Sequence, residues 1–215
     1  KHLREYLDQQ ARKVASEAIE VRLKTEVTRR LAETLEPDVI IAAVGSGPYT
    51  PEIPGIDGPN VAGAEQLYSA PEKAGQRVVI LGGGLVGTEL AIYLSELGRE
   101  VTILEMKPAV NAGDNILHGQ AVDIELDRAG VSLVLNTKAV EISDKGVVGE
   151  NDVGRKLFEA DTVACALGQL PCQAAADELR FCAPVFYQIG DCLAAGTIYE
   201  ATRTAHQIAL DIGEH

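Results

Sequence analysis

The sequence predicts an α/β chain in which one self-sufficient unit, residues 72–160, is inserted into a second domain supplied by residues 1–68 and 161–215. Three observations carry this reading. Residues 77–105, RVVILGGGLVGTELAIYLSELGREVTILE, spell strand, glycine turn, helix and strand in unbroken order. The chain opens on a helix rather than on a strand and glycine turn, so its first 68 residues lack the start of such a unit. Its last 55 residues add two more apolar strands and a closing helix, which need a sheet to complete.

The inserted unit is the most informative part. Val78–Leu81 is a short, wholly apolar, β-branched run, as a strand buried on both faces of a parallel sheet requires. Gly82-Gly83-Gly84-Leu85-Val86-Gly87 then satisfies G-x-G-x-x-G. In this Rossmann-like arrangement the first glycine allows a tight turn, the second lets a pyrophosphate approach the backbone, and the third lets helix and strand pack closely. The helix carries Val86, Leu90, Ala91, Leu94 and Leu97 on one side, and Gly98 suits its C-terminal cap. Its free N–H groups and dipole make an anion site. Val101–Leu104 is the second strand, and Glu105 follows eighteen residues after Gly87. A carboxylate there accepts hydrogen bonds from both ribose hydroxyls and repels a 2′-phosphate, which favours NAD(H) over NADP(H). The competing reading of Glu105 is a solvated charge at a strand end.

Composition excludes several classes. A hydrophobic share of 46% with 24% charged residues is ordinary globular composition. The net charge is −13 and no basic cluster exceeds a pair such as Arg29-Arg30, so nucleic acid is a poor partner. No run of eighteen apolar residues predicts a transmembrane helix, and the charged N-terminus has no apolar signal core, so no membrane association and a cytoplasmic location are expected. Cys165, Cys172, Cys182 and Cys192 form no C-x-x-C pair, which predicts no metal site and no disulfide redox pair; they read as small buried hydrophobes. The oligomeric state stays open, a homo-oligomer included.

Along the chain, Leu3, Tyr6, Leu7, Ala11, Val14 and Ala18 recur at helical spacing. Ile19, Val21 and Leu23 alternate with charges, predicting a short strand. Val27, Leu31 and Leu35 mark a second helix stopped by Pro37, and Val39–Val44 reads as a buried strand ended by Gly45. Residues 46–60 hold four of the nine prolines and read as a semi-rigid linker, with a second linker at Ser69–Gln76. After Glu105 a loop through Pro108, Asn111 and Gly113 leads to a helix with Ile116, Leu117, Ala121, Ile124 and Leu126, then to a strand at Ser132–Leu135. Ala139–Ile142, Val147–Val148 and Leu157–Phe158 predict an antiparallel excursion with turns at Gly146 and Gly154. Thr162–Leu167 is an apolar strand closed by Gly168, residues 169–184 have weak periodicity, and Pro184–Ile189 is a strand running into Gly190-Asp191-Cys192. A helix over 198–212 closes the chain with Ala201, Ala205, Ile208, Ala209 and Ile212 inward.

The segments VIIAAVG (39–45), IPGIDG (53–58), VILGGGLVGTE (79–89), VACALG (163–168) and VFYQIGDC (185–192) stand in the order found in two-dinucleotide-domain flavoprotein reductases. Within that group the chain resembles the C-terminal module of the NADH:flavin oxidoreductase and 2,4-dienoyl-CoA reductase family. That family joins an old-yellow-enzyme barrel with FMN and an iron–sulfur cluster to an FAD/NAD module. The resemblance covers nearly all 215 residues and implies a Rossmann-like NAD-binding domain inserted in a truncated FAD-binding domain. It implies cofactor contacts at Gly82, Gly83, Gly84, Leu85, Val86, Gly87, Glu89, Glu105, Met106 and Gly168. It further implies that Gly190 and Asp191 face the FAD ribityl and pyrophosphate, with Ala43 and Gly45 lining the same cofactor. From chemistry alone Asp191 reads instead as a turn-and-cap aspartate. The family's FAD fingerprint, barrel and cluster cysteines are not within these residues. The chain is therefore expected to be a fragment that binds FAD weakly or not at all, with FMN and iron–sulfur only in the barrel.

Hydride transfer between nicotinamide and flavin asks little of side chains, and no catalytic acid, base or nucleophile is assigned. His118 and His206 each sit alone on a predicted helix. The expected function is an NADH-binding electron-entry module that passes hydride to FAD and on to a barrel reducing an unsaturated acyl or enone substrate. A nucleotide-binding module without catalysis, and a stand-alone NADH oxidase or ferredoxin reductase of the same fold, remain alternatives.

Overall fold

The first helix of the computed structural model, α1 (His2–Ser16), already departs from simple amphipathic packing: Tyr6, Leu7 and Val14 on its apolar stripe are all exposed. The structure describes residues 2–111 and 116–212. The chain divides into two units, residues 1–42 with 174–187 and residues 43–173 with 188–215. Gly113 lies outside the described residues, as do the side chains of Leu3, Ile116, Leu117 and His118.

In the first unit the strand expected at Ile19–Leu23 does not form. Its residues are irregular, and Ile19, Val21 and Leu23 are exposed. Alternation makes a strand only where a neighbour supplies the ladder and a face to cover. Helix α2 (Arg29–Leu35) begins where the Thr28 hydroxyl accepts a hydrogen bond from the Leu31 N–H at 3.3 Å and ends at left-handed Glu36, just before Pro37. Strand β1 (Val39–Ala42) stops two residues short of the predicted run and leaves Ala43 and Val44 outside the ladder.

The second unit starts with β2 (Ser46–Pro48), inside the expected linker. The proline-rich stretch is pinned rather than free: the Ile142 N–H donates to the Pro54 carbonyl at 2.8 Å. Then follow β3 (Val61–Gly63), α3 (Ala64–Ser69), β4 (Arg77–Leu81), α4 (Leu85–Glu96) and β5 (Glu100–Leu104). Next come α5 (Ile116–Arg128), β6 (Ser132–Val134), β7 (Lys138–Ser143), β8 (Gly146–Asn151), β9 (Gly154–Glu159) and β10 (Thr162–Cys165). After β11 (Gln169–Pro171) the chain returns to the first unit for most of α6 (Gln173–Asp177) and β12 (Val185–Gln188), and α7 (Ile198–Asp211) belongs to the second.

Five strands pair in parallel in the order β3-β10-β4-β5-β6. The sheet therefore takes strands from both sides of residues 72–160, because β10 pairs with β4 between Thr162 and Cys165. The period-2 alternation explains the two core layers. Val78 and Ile80 pack with Leu90, Ala91 and Leu94 of α4 on one face. Val79 and Leu81 pack on the other with Ile142 and Val147 of the antiparallel β7-β8-β9 sheet, the excursion read from sequence. With both faces covered, β4 can be apolar throughout. The expected inward stripe of α4 holds only in its middle, since Val86 and Leu97 are exposed at its ends. On α7, Ala209 and Ile212 are exposed rather than inward, and no residue of that helix is fully buried.

Arg77 clamps the start of β4 to the approach to β10. Its N–H and its guanidinium both reach the Asp161 carboxylate, each at 2.8 Å, and the guanidinium also meets Glu159. The side-chain bond from Arg77, then its backbone N–H, hold the Asp161 carboxyl below the ordinary carboxylate range. A lowered folded pKa contributes stability that is present above the unfolded pKa and lost as pH falls through the folded value. Asp161→Asn is expected to destabilise at neutral pH yet flatten the acid limb of the unfolding profile. Equal acid slopes for the two proteins in pH-dependent chemical denaturation would contradict this.

Candidate functional site

The glycine turn is built by contacts that leave no room for side chains except on one side. The Gly82 N–H donates to the Leu104 carbonyl at 2.9 Å, which joins the turn to the end of β5. Gly82 has φ +102°, and a Cβ there would lie 2.4 Å from the Ala166 carbonyl oxygen. A Cβ on Gly87 would lie 2.0 Å from the Gly82 carbonyl oxygen, so helix and turn touch through backbone alone. Gly84, the N-cap of α4, is different: a Cβ there meets nothing within 4 Å. The open space lies where the first turn of α4 presents N–H groups without intrahelical acceptors, beside exposed Leu85 and Val86. This cradle fits a pyrophosphate.

Glu105 is not a solvated charge. It is 8% exposed and accepts a hydrogen bond from the Gly83 N–H at 2.6 Å and another from the Lys107 N–H at 2.8 Å. The carboxylate is thereby aimed and held at the end of β5, with lone pairs remaining for ribose hydroxyls. Met106 beside it is exposed. Glu89 is exposed on α4, and its charge adds to burial in pushing the Tyr68 hydroxyl up to about 12. The Tyr68 ring stacks on Tyr93 of the same helix with centroids 5.7 Å apart.

A second group forms in the same unit. Ala43, Gly45, Gly190, Asp191, Thr197 and Ala201 line a cavity of about 330 Å³. Gly45 and Gly168, both at positive φ, bracket the ribbon of β2 and β11: the Cys172 N–H donates to the Gly45 carbonyl and the Tyr49 N–H to the Gly168 carbonyl, each at 3.0 Å. The Asp191 carboxylate accepts from the Ser46 hydroxyl and from the Gly196 N–H, both at 3.3 Å. One oxygen thus does the turn-capping work that chemistry alone suggests, while the carboxylate still borders the cavity. The Gly190 N–H donates to the Thr204 hydroxyl at 3.0 Å, which ties this turn to α7. The first turn of α7 is capped reciprocally, with the Thr197 N–H donating to Glu200 at 3.0 Å. A small cavity edged by a carboxylate and a helix N-terminus fits part of a flavin dinucleotide.

The glycine turn and Glu105 thus come together, as do Ala43, Gly45, Gly190 and Asp191. Sequence reading missed Ser46, Thr88, Asn111 and Thr204. Thr88 follows the last motif glycine and could be read as a buried polar anchor; the other three act across loops that leave no spacing signature. All four cysteines are free thiols, and burial pushes the Cys165 thiol up, which makes it a poor nucleophile. Among the described residues no helix is long and apolar enough to cross a membrane.

Residues 1–209 match the family model described as pyridine nucleotide-disulphide oxidoreductase. The chain is 30% identical to the cinnamate reductase of Clostridium sporogenes over 198 residues, covering 90% of this chain and 29% of that protein. It is 30% identical to an NADH oxidase of Thermoanaerobacter brockii over 203 residues, covering 90% of this chain and 31% of that one. The solved 2-naphthoyl-CoA reductase in complex with 2-naphthoyl-CoA aligns with a TM-score of 0.84 at 31% identity, over 93% of this chain and 30% of that one. The chain spans under a third of the length of each of these proteins.

Proposed function

The chain belongs to the pyridine nucleotide-disulphide oxidoreductase family, and from that premise we propose that it is the NADH-binding electron-entry module of a flavin-dependent oxidoreductase. The cinnamate and 2-naphthoyl-CoA reductases bear out the narrower resemblance to NADH:flavin oxidoreductase and 2,4-dienoyl-CoA reductase modules. The observation that carries the proposal is the joined pair of Gly83 and Glu105, with the open cradle at Gly84 beside it.

Gly84 and the first turn of α4 would hold the pyrophosphate, and Glu105 the adenosine ribose, with Met106 beside it. Glu89 and Gly168 would border the nicotinamide half. Gly190 and Asp191 would hold the ribityl and pyrophosphate of FAD, with Ala43 and Gly45 along its edge. Hydride exchange between nicotinamide and flavin is chemistry that the cofactors supply when bound. The protein's part is to orient the two rings and exclude water, which needs no acid–base pair. The named relatives support an unsaturated acyl or enone as the final acceptor, reached through a barrel domain, and the NADH oxidase supports dioxygen as a second reading.

Calorimetry of the chain with NADH and NADPH tests the nucleotide site. NADH is expected to bind at least tenfold more tightly, because Glu105 repels a 2′-phosphate. Equal or stronger NADPH binding would remove the role given to Glu105. Absence of binding by either would remove the site. In a chain joined to a barrel, NADH should bleach a bound flavin; a colourless preparation would favour nucleotide binding without catalysis.

A further inference from the structure

We propose that Asn111 is a positioning residue of the dinucleotide site, holding the glycine turn in the shape that receives the pyrophosphate. The inference rests on the nucleotide-binding reading of Gly82–Gly87 given above. Asn111 lies beyond β5, outside the motif, and adopts a left-handed conformation with φ +48°. Asparagine tolerates that region better than other side chains, though glycine tolerates it best. The residue is 8% exposed, unusual for a polar loop residue.

Two hydrogen bonds give it its place. Its backbone N–H donates to the Gly83 carbonyl at 2.7 Å, and its side-chain Nδ2 donates to the Thr88 hydroxyl at 3.3 Å. Thr88 in turn donates to the carbonyls of Gly84 at 3.1 Å and Leu85 at 3.0 Å. With its own hydrogen committed there, the Thr88 oxygen needs a donor, which fixes the orientation of the Asn111 amide. The other side of Gly83 is held by Glu105, through the N–H. Gly83 is therefore gripped at both its N–H and its carbonyl, and the Asn111–Thr88 tie spans the turn from Gly83 to the first helical turn. Gly84, the open position of the cradle, lies between the two anchor points.

The Asn111 Oδ1 is buried and has no hydrogen-bond partner among the described residues. Burying an amide oxygen unpaired is disfavoured. A side chain placed there at that disadvantage is set by the turn's geometry rather than by its own hydrogen-bond balance. A valine or leucine would fill the space without it, but would leave the Thr88 oxygen without its donor.

The test separates the tie from general packing. Asn111→Gly keeps the backbone bond to Gly83 and relieves the left-handed conformation, removing only the amide; Thr88→Val removes the hydroxyl at the other end. NADH titrations of wild type, both single variants and the double variant are read together with their melting temperatures. Each single change is expected to weaken NADH binding about five- to tenfold, with the double no weaker than the poorer single. A merely structural role would lower the melting temperature and leave the dissociation constant within twofold of wild type, which overturns the proposal. Fully additive losses also overturn it, because the tie would then not carry the effect. Should Asn111→Gly fail to fold, Thr88→Val decides alone: a fivefold loss supports the tie and an unchanged constant overturns it. A wild-type chain that binds no NADH removes the underlying nucleotide reading instead.

Discussion

Gly87→Ala is expected to abolish NADH binding and to cost about 3 kcal/mol or more of folding stability. The methyl would lie 2.0 Å from the Gly82 carbonyl oxygen and 3.1 Å from its carbon. These are backbone atoms of the turn itself, so no side chain can swing aside. Nor can the turn retreat freely, because the Gly82 N–H is tied to the Leu104 carbonyl at 2.9 Å and the Gly83 N–H to Glu105 at 2.6 Å. Helix α4 must move outward, which opens the packing of Leu90, Ala91 and Leu94 against Ile80. Gly84→Ala is the informative control. Its φ of −76° suits alanine and its Cβ meets nothing, so the protein should melt near the wild-type temperature. The methyl would still occupy the space through which a pyrophosphate approaches the backbone, and NADH affinity should fall at least tenfold. Thermal melts and NADH titrations of both variants decide the matter. Wild-type melting for Gly87→Ala, or unchanged affinity for Gly84→Ala, would contradict this division of labour.

The contrast between the two glycines shows what was legible in the sequence. Motif spacing identifies residues that meet within about thirty positions, because one strand–turn–helix–strand unit fixes their relation. Hence 77–105 was readable to within a residue or two at each boundary. The antiparallel excursion was readable as three strands, but β8 runs three residues past Val148 and β9 begins three residues before Leu157. The placement of β10 between β3 and β4 was not, since an apolar run shows that a strand is buried but not beside which partner. Ile19–Leu23 fails for the opposite reason: a good local alternation with no ladder to join. The exposed stripe of α1 and the half-covered face of α7 obey helical period without the burial it usually announces. At the site, Ser46 and Asp191 are separated by 145 positions and Asn111 meets Thr88 across 23, through loops whose course no periodicity encodes.

Glu105→Arg, the substitution that simple charge logic recommends for admitting NADPH, is expected instead to lose both nucleotides. Charge logic treats the acid as a free group at a strand end. In the structure its two oxygens separately accept the Gly83 and Lys107 N–H groups, and a Cβ on Gly83 would sit 3.2 Å from the Glu105 Cβ. Arginine has no acceptor, so both N–H groups would lose their partner, and the longer side chain would press on the turn. The buried Gly83 N–H, left unmet, costs about 1–3 kcal/mol, and the part-buried Lys107 N–H less. The milder Glu105→Gln keeps one acceptor oxygen and turns a donor toward the other N–H. It should weaken NADH binding about tenfold or more while lowering the melting temperature, with no gain for NADPH. Because Gly83 precedes Gly84 directly, loss of the carboxylate would disturb the proposed ribose contact and the proposed pyrophosphate cradle together. ADP-ribose, which lacks the nicotinamide, should therefore lose affinity in Glu105→Gln by the same factor as NADH. Selective loss for NADH would place the fault at the nicotinamide end. An arginine variant that bound NADPH well would show that the Gly83 N–H bond to Glu105 is dispensable and that the Asn111 bond to the Gly83 carbonyl suffices to shape the turn.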